Sequence, residues 1–147
     1  MNIKNYTSSV PADRTISRIE QLLANAGATA IMKDYRGGIV QALCFNYTVN
    51  GGSVVIRLPA NHEAIYKAMV ERLIRKTPST LQNAKEQALR TSWKLMQDWV
   101  EVQLSLIQMR QADFIEVFLP YVWDGSQTFY ESIKGSHFKA LPPPPSQ

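Results

Sequence analysis

Sulfur and imidazole are scarce in this chain. Among 147 residues there is one cysteine, Cys44, and there are two histidines, His62 and His137. A lone thiol forms no internal disulfide, which excludes the crosslinked scaffold of small secreted domains. Cys44 falls in the apolar run Ala42-Leu43-Cys44-Phe45, the setting of a buried small hydrophobe in a reducing compartment rather than of a reactive thiol. Neither histidine has a second ligand four residues away with an acid nearby, so a structural zinc site is excluded, and His62-Glu63 reads as a helix start. No apolar run approaches the roughly 18 residues that cross a bilayer. The stretch Met1 to Val10 is polar and lacks the apolar core of a signal peptide. The expectation is a protein of the cytoplasm with no membrane partner.

Catalytic patterns are equally sparse. No serine stands in a glycine elbow, and no nucleophile has a base beside it. Gly37-Gly38 and Gly51-Gly52 lie between strand-like segments, not ahead of a lysine and a helix, so they read as turns and not as a phosphate loop. The acids Glu63, Glu71 and Glu86 fall in helical segments, where single carboxylates face water. A non-enzymatic protein with no catalytic residue, no cofactor and no metal is expected.

What is present is a globular balance, 45% hydrophobic and 19% charged residues, in a length that suits one domain over 1–141 and needs no crosslink to hold a core. Pro11 to Ala26 reads as a helix: Asp13 complements its dipole, Ile16, Ile19, Leu22, Leu23 and Ala26 form one stripe, and Gly27 follows at the C-cap. Three strands are predicted, Thr29 to Tyr35, Ile39 to Val49 and Ser53 to Leu58. Arg36-Gly37-Gly38 and Asn50-Gly51 join them as hairpin turns, and Pro59 ends the last. The result is an antiparallel meander. Asn61 caps a second helix from about His62 to Lys76 with Ala64, Ile65, Ala68, Met69 and Leu73 on its buried side. Thr77-Pro78-Ser79 breaks it.

A long helix then runs from Ser79 or Thr80 to about Met109. It is apolar around most of its circumference, which predicts that other elements or a second chain wrap it. Trp93, Met96, Trp99, Val100 and Leu104 are the residues expected to hold a homo-oligomer together. Glu86–Arg90 and Lys94–Asp98, at i, i+4, predict a charge ladder along its polar line. Phe114 to Tyr121 reads as a short helix or an extended anchor, Thr128 to Lys134 as a last helix, and residues 142–147 as a polyproline tail. The fold class is therefore α+β: helix, three-stranded meander, two helices of which the second is long and largely buried, and a short C-terminal helix.

Charge is the remaining signal. Residues 1–94 carry 13 Lys and Arg against 6 Asp and Glu, a balance of +7, whereas residues 95–147 carry 3 against 6, a balance of −3. Lys67, Arg72, Arg75 and Lys76 are close in helical spacing, with Tyr66 beside them and Arg57 at the end of the third strand. Joined by Lys33, Tyr35 and Arg36 of the first hairpin, they form a candidate surface on which cations neutralise phosphates while Tyr35 and Tyr66 stack on bases.

The order of elements over residues 11–76 is similar to that of a double-stranded-RNA-binding domain. The lysine cluster of that module has no counterpart in Pro59-Ala60-Asn61-His62-Glu63-Ala64. The chain also resembles small uncharacterised proteins of bacteriophages and prophages. That resemblance rests on Ser9-Val10-Pro11, Gly27-Ala28-Thr29, Arg57-Leu58-Pro59-Ala60, Gln87 to Trp93 with Asp98-Trp99-Val100-Glu101, and Phe118-Leu119-Pro120-Tyr121. It implies an accessory protein in a bacterial host cell, acting in DNA metabolism or counter-defence. The functional expectation is binding of nucleic acid or a nucleotide. The alternative is a protein–protein inhibitor or adaptor of a host protein that uses Phe118, Tyr121, Trp123 and Phe129 as exposed aromatics.

Overall fold

A computed structural model describes residues 3–146. Met1 and Asn2 of the polar N-terminal stretch and Gln147 of the proline tail lie outside the described residues. The elements are α1 (Ala12–Asn25), β1 (Ala30–Arg36), β2 (Ile39–Val49), β3 (Gly52–Pro59), α2 (His62–Glu71), α3 (Pro78–Gln108), α4 (Phe114–Phe118), a 3₁₀ turn (Leu119–Tyr121) and α5 (Phe129–Gly135). This is the expected α+β order, with one antiparallel sheet in the order β1-β2-β3. Both hairpins close through two residues at positive φ, Gly37 and Gly38 at 58° and 79°, Asn50 and Gly51 at 49° and 79°. That conformation matches the twist of the flanking strands.

Alternation along the strands divides the sheet into two faces. Ile31, Phe45 and Ile56 are in register, as are Lys33, Leu43 and Leu58; Met32, Cys44 and Arg57 point the other way. On the first face Leu43, Phe45, Ile56 and Leu58 pack with Ile16, Ile19 and Leu23 of α1, Trp93 and Val100 of α3, and Phe114 and Phe118 of α4. Phe45 meets Phe114 and Phe118 edge-on, and Tyr47 stacks on Phe114 at 3.8 Å. The outer edge of β3 is partly covered by the chain after α4: Val122 bridges to Ile56, and Trp123 N donates to Val55 O at 2.8 Å.

Three expectations change. First, α2 stops at Glu71, not Lys76. Pro78 occupies the first turn of α3 behind the Thr77 cap, so a helix through Lys76 would leave one residue to reverse the chain. Residues 72–77 make that reversal as non-helical backbone, within the usual length of a helix–helix connection. Second, Ala64 is exposed and no residue of α2 is fully buried. Third, Trp93 and Val100, two of the five residues assigned to an oligomer interface, lie inside the chain's own core. Trp93 and Val100 have no exposed surface, and Met96, Trp99 and Leu104 pack partly buried against the same cluster. Much of the apolar girth of α3 packs against α1, α2 and the sheet-facing core, while Val102 and Met109 stay exposed.

Among the described residues no helix is long and apolar enough to cross a membrane.

Candidate functional site

The nine residues expected to form one basic surface fall into three places. Lys33 lies on the core-facing side of β1, where its Nζ pairs with Glu20 of α1 at 2.9 Å. The contact with the accepting Glu20 carboxylate outweighs the burial that opposes the charge and raises the Lys33 pKa. Arg57 lies on the opposite face and is held on several sides. It donates to Asp34 at 2.7 Å and to Cys44 Sγ at 3.6 Å, beneath the Trp123 ring at 5.6 Å. Burial works against its charge, but the bonds to Asp34 and Cys44 prevail and raise its pKa. Both cations are already neutralised within the fold. Tyr35 and Arg36, exposed at the first hairpin, line a hollow of about 460 Å³ with Arg57, Asn61 and His62 at the start of α2. A bulge at Gln41 shapes that hollow, because Asp34 pairs with Ala42 and Tyr35 with Val40. The extra residue turns its side chain to within 3.3 Å of His62 Nε2.

Arg72, Arg75 and Lys76 stand at the other end of α2. A ten-residue helix spans about 15 Å, so the hairpin group and this group do not form one patch. Lys67 lies between them on the exposed side of α2, and Tyr66 is partly buried. The shared side expected from helical spacing is lost for Arg75 and Lys76, which lie on the loop. Lys67, Arg72, Arg75 and Lys76 are exposed without an ion-pair partner among the described residues, as are Arg14, Arg36, Lys85, Arg110, Lys134 and Lys139, but the four lie within ten residues of sequence. By contrast, Lys4, Arg18, Lys33 and Arg57 are all paired with acids.

Arg72 also borders a hollow of about 580 Å³ between α2, α3 and the N-terminal segment. Its walls include Met69 and Leu73 from the α2 side, Asn83, Ala84, Glu86 and Arg90 from α3, and the Tyr6 ring. The N-terminal segment reaches this place because it is tied along α3. Thr91 Oγ1 donates to Asn5 O at 3.0 Å, Gln87 Nε2 to Ser8 O at 3.0 Å and Arg90 Nε to Ser8 O at 3.2 Å, while Lys4 and Asn5 Nδ2 donate to Asp98. The expected ladder is therefore absent. Asp98 faces Lys4 and Asn5 instead of Lys94, and Arg90 turns from Glu86 to Ser8 O and, at 2.6 Å, to Gln87 Oε1. Periodicity gave no reason to single out Tyr6, Asn83 or Arg90, since a contact across more than 80 residues leaves no local pattern.

A larger hollow of about 620 Å³ lies between the C-terminal parts of α1 and α3. Its one cation, Arg18, faces Glu101 at 4.0 Å, so it offers an anion less than the α2–α3 hollow does.

The aromatics of the alternative reading are also redistributed. Phe118 has no exposure, Tyr121 packs on Trp99 at 5.4 Å, and Trp123 covers Arg57. Phe129 alone of the four is exposed, in company with Leu119, Tyr130, Phe138 and Leu141.

Among the described residues no three His, Cys, Asp or Glu converge as metal ligands. Comparison with protein-family models, with curated proteins and with solved structures finds nothing that matches this chain. The class that fold and site define is an α+β protein with a basic loop beside a mixed polar and apolar hollow.

Proposed function

We propose that this protein binds a phosphate-bearing ligand, a nucleic acid or a nucleotide, at the α2–α3 end of the molecule, and that it acts by binding rather than by catalysis. One observation carries the reading. Lys67, Arg72, Arg75 and Lys76 are exposed and unpaired by acids among the described residues, and Arg72 stands at the border of a hollow large enough for a small ligand. Cations left without internal partners attract phosphates, and one of them, Arg72, borders the hollow. A role in phage DNA metabolism or counter-defence accords with this reading.

The test is the triple variant Arg72→Ala/Arg75→Ala/Lys76→Ala, probed with a labelled 12-residue single-stranded oligonucleotide and with nucleoside monophosphates. Exposed side chains contribute little to folding, so the melting temperature should stay within about 2 °C while affinity falls by at least about tenfold. Unchanged affinity in the folded variant would refute the assignment.

The alternative, docking on a host protein, is favoured by one specific feature: Leu119, Phe129, Tyr130, Phe138 and Leu141 are all exposed in the C-terminal region. Of these, Tyr130 and Phe138 lie together with ring centroids 6.2 Å apart, and a contiguous exposed apolar patch marks a protein contact.

A further inference from the structure

We infer that the hollow between α2, α3 and the N-terminal segment is a pocket for one nucleoside phosphate unit, with Arg90 and Arg72 for the phosphate and Tyr6 and Asn83 for the base. The inference rests on the reading of the basic end as a phosphate-binding surface, and it adds three residues that the loop cations do not include. Arg90 is the central observation. It is partly buried, and both of its hydrogen bonds go to neutral acceptors, Ser8 O at 3.2 Å and Gln87 Oε1 at 2.6 Å. A guanidinium oriented by two neutral oxygens, with no carboxylate bound to it, keeps its charge for an incoming anion while its direction is already set. Gln87 is itself pinned by Ser8 O at 3.0 Å and Thr91 at 3.1 Å, so the support is rigid.

The rest of the wall suits a base. Tyr6 brings a ring that is 46% exposed, hence available to stack, and Met69 and Leu73 give an apolar floor. Asn83 is exposed and makes no side-chain hydrogen bond among the described residues, so its amide can offer both a donor and an acceptor to a base edge. Glu86 also borders the hollow, and its Oε1 is engaged by Gln82 at 3.1 Å. The volume of about 580 Å³ lies in the range of small-molecule pockets. Arg75 and Lys76 stand outside the hollow, where they would meet further phosphates of a strand but not those of a single nucleotide.

Calorimetric titration with each of the four nucleoside monophosphates, and with a 12-residue single-stranded oligonucleotide, tests this. Asn83→Trp fills the hollow without removing a hydrogen bond, and Arg90→Met removes the oriented charge. Both should weaken the preferred monophosphate by at least about tenfold. Arg75→Ala/Lys76→Ala should weaken the oligonucleotide by at least about tenfold. If the preferred ligand is a free nucleotide, the oligonucleotide will bind more weakly than the monophosphate; if it is a strand terminus or unpaired residue, more tightly. Either result supports the pocket. Failure of all four monophosphates to bind, or binding that Asn83→Trp and Arg90→Met leave intact, overturns it. Oligonucleotide binding that is still lost in Arg72→Ala/Arg75→Ala/Lys76→Ala would then keep the basic surface and discard the pocket alone. Circular dichroism on each variant confirms folding, and Asn83→Trp remains informative if Arg90→Met loosens the N-terminal segment.

Discussion

Trp93 is fully buried, yet its indole Nε1 has no hydrogen-bond partner among the described residues. Its place in the core is thus held by packing within the cluster that also holds Val100, Phe114 and the buried sheet residues, and not by its polar handle. Trp93→Ala should cost about 3–5 kcal/mol, the range for emptying a large aromatic site. Trp93→Phe should cost only about 1 kcal/mol, because the smaller void is offset by removing an unsatisfied N–H. Urea denaturation followed by circular dichroism measures both. A phenylalanine variant as unstable as the alanine one would show that the N–H is engaged after all. At this scale the sequence was a good guide to which side chains are apolar and a poor guide to what they touch. Trp93 and Val100 belong to a stripe that serves an inner core or a dimer equally well, and only the positions of α1 and the sheet decide between them. Lys33 is the polar counterpart: alternation in β1 sets its face, but the nearness of Glu20 depends on how α1 lies on the sheet.

The elements that the sequence shows clearly are those whose chemistry is local. Gly-Gly and Asn-Gly place two positive-φ residues where a hairpin must close, and the Asn61 cap marks the start of α2; α3 begins at Pro78 behind Thr77, one or two residues before the expected Ser79 or Thr80. The end of α2 and the course of residues 3–10 are not local, and both were hidden. The N-terminal segment is held to α3 partly through Asp98. Burial opposes that carboxylate, but hydrogen bonds from Lys4 and Asn5 prevail and keep its pKa below the ordinary 3.8. A carboxylate depressed in the folded state contributes stability that is complete above the unfolded value and lost as the pH falls through the folded one. The segment should therefore stay docked down to about pH 3.8 and release below it. In NMR spectra the Tyr6 ring signals should move toward unfolded-chain positions in that acid window, and in Asp98→Ala they should be displaced already at neutral pH. Tyr6 signals that do not move in either case would mean that Thr91, Gln87 and Arg90 hold the segment without help from Asp98.

Over the whole molecule the net charge of +4 is less informative than where the unpaired part of it stands. Four of the 16 cations are matched by acids; of the others, Arg72, Arg75 and Lys76 fall within five residues after α2, with Lys67 on the exposed side of that helix. The exposed aromatics Phe129, Tyr130 and Phe138 belong to residues 95–147, where acids outnumber bases. The two candidate modes of action thus use different surfaces and obey different physics. Binding to a single strand releases about 0.7 counterion per phosphate neutralised. Three or four loop and helix cations then predict that log affinity falls with log salt at a slope of roughly −2 to −3. Removing Arg75 and Lys76 should flatten that slope by about 1.4. An apolar contact through the C-terminal aromatics predicts almost no slope, and no change on removing those two residues. A salt series on the unmodified protein and on Arg75→Ala/Lys76→Ala, with the oligonucleotide as probe, separates these cases. A steep slope that flattens in the variant assigns binding to the α2–α3 end. A flat slope in both proteins would refute oligonucleotide binding at the α2–α3 end.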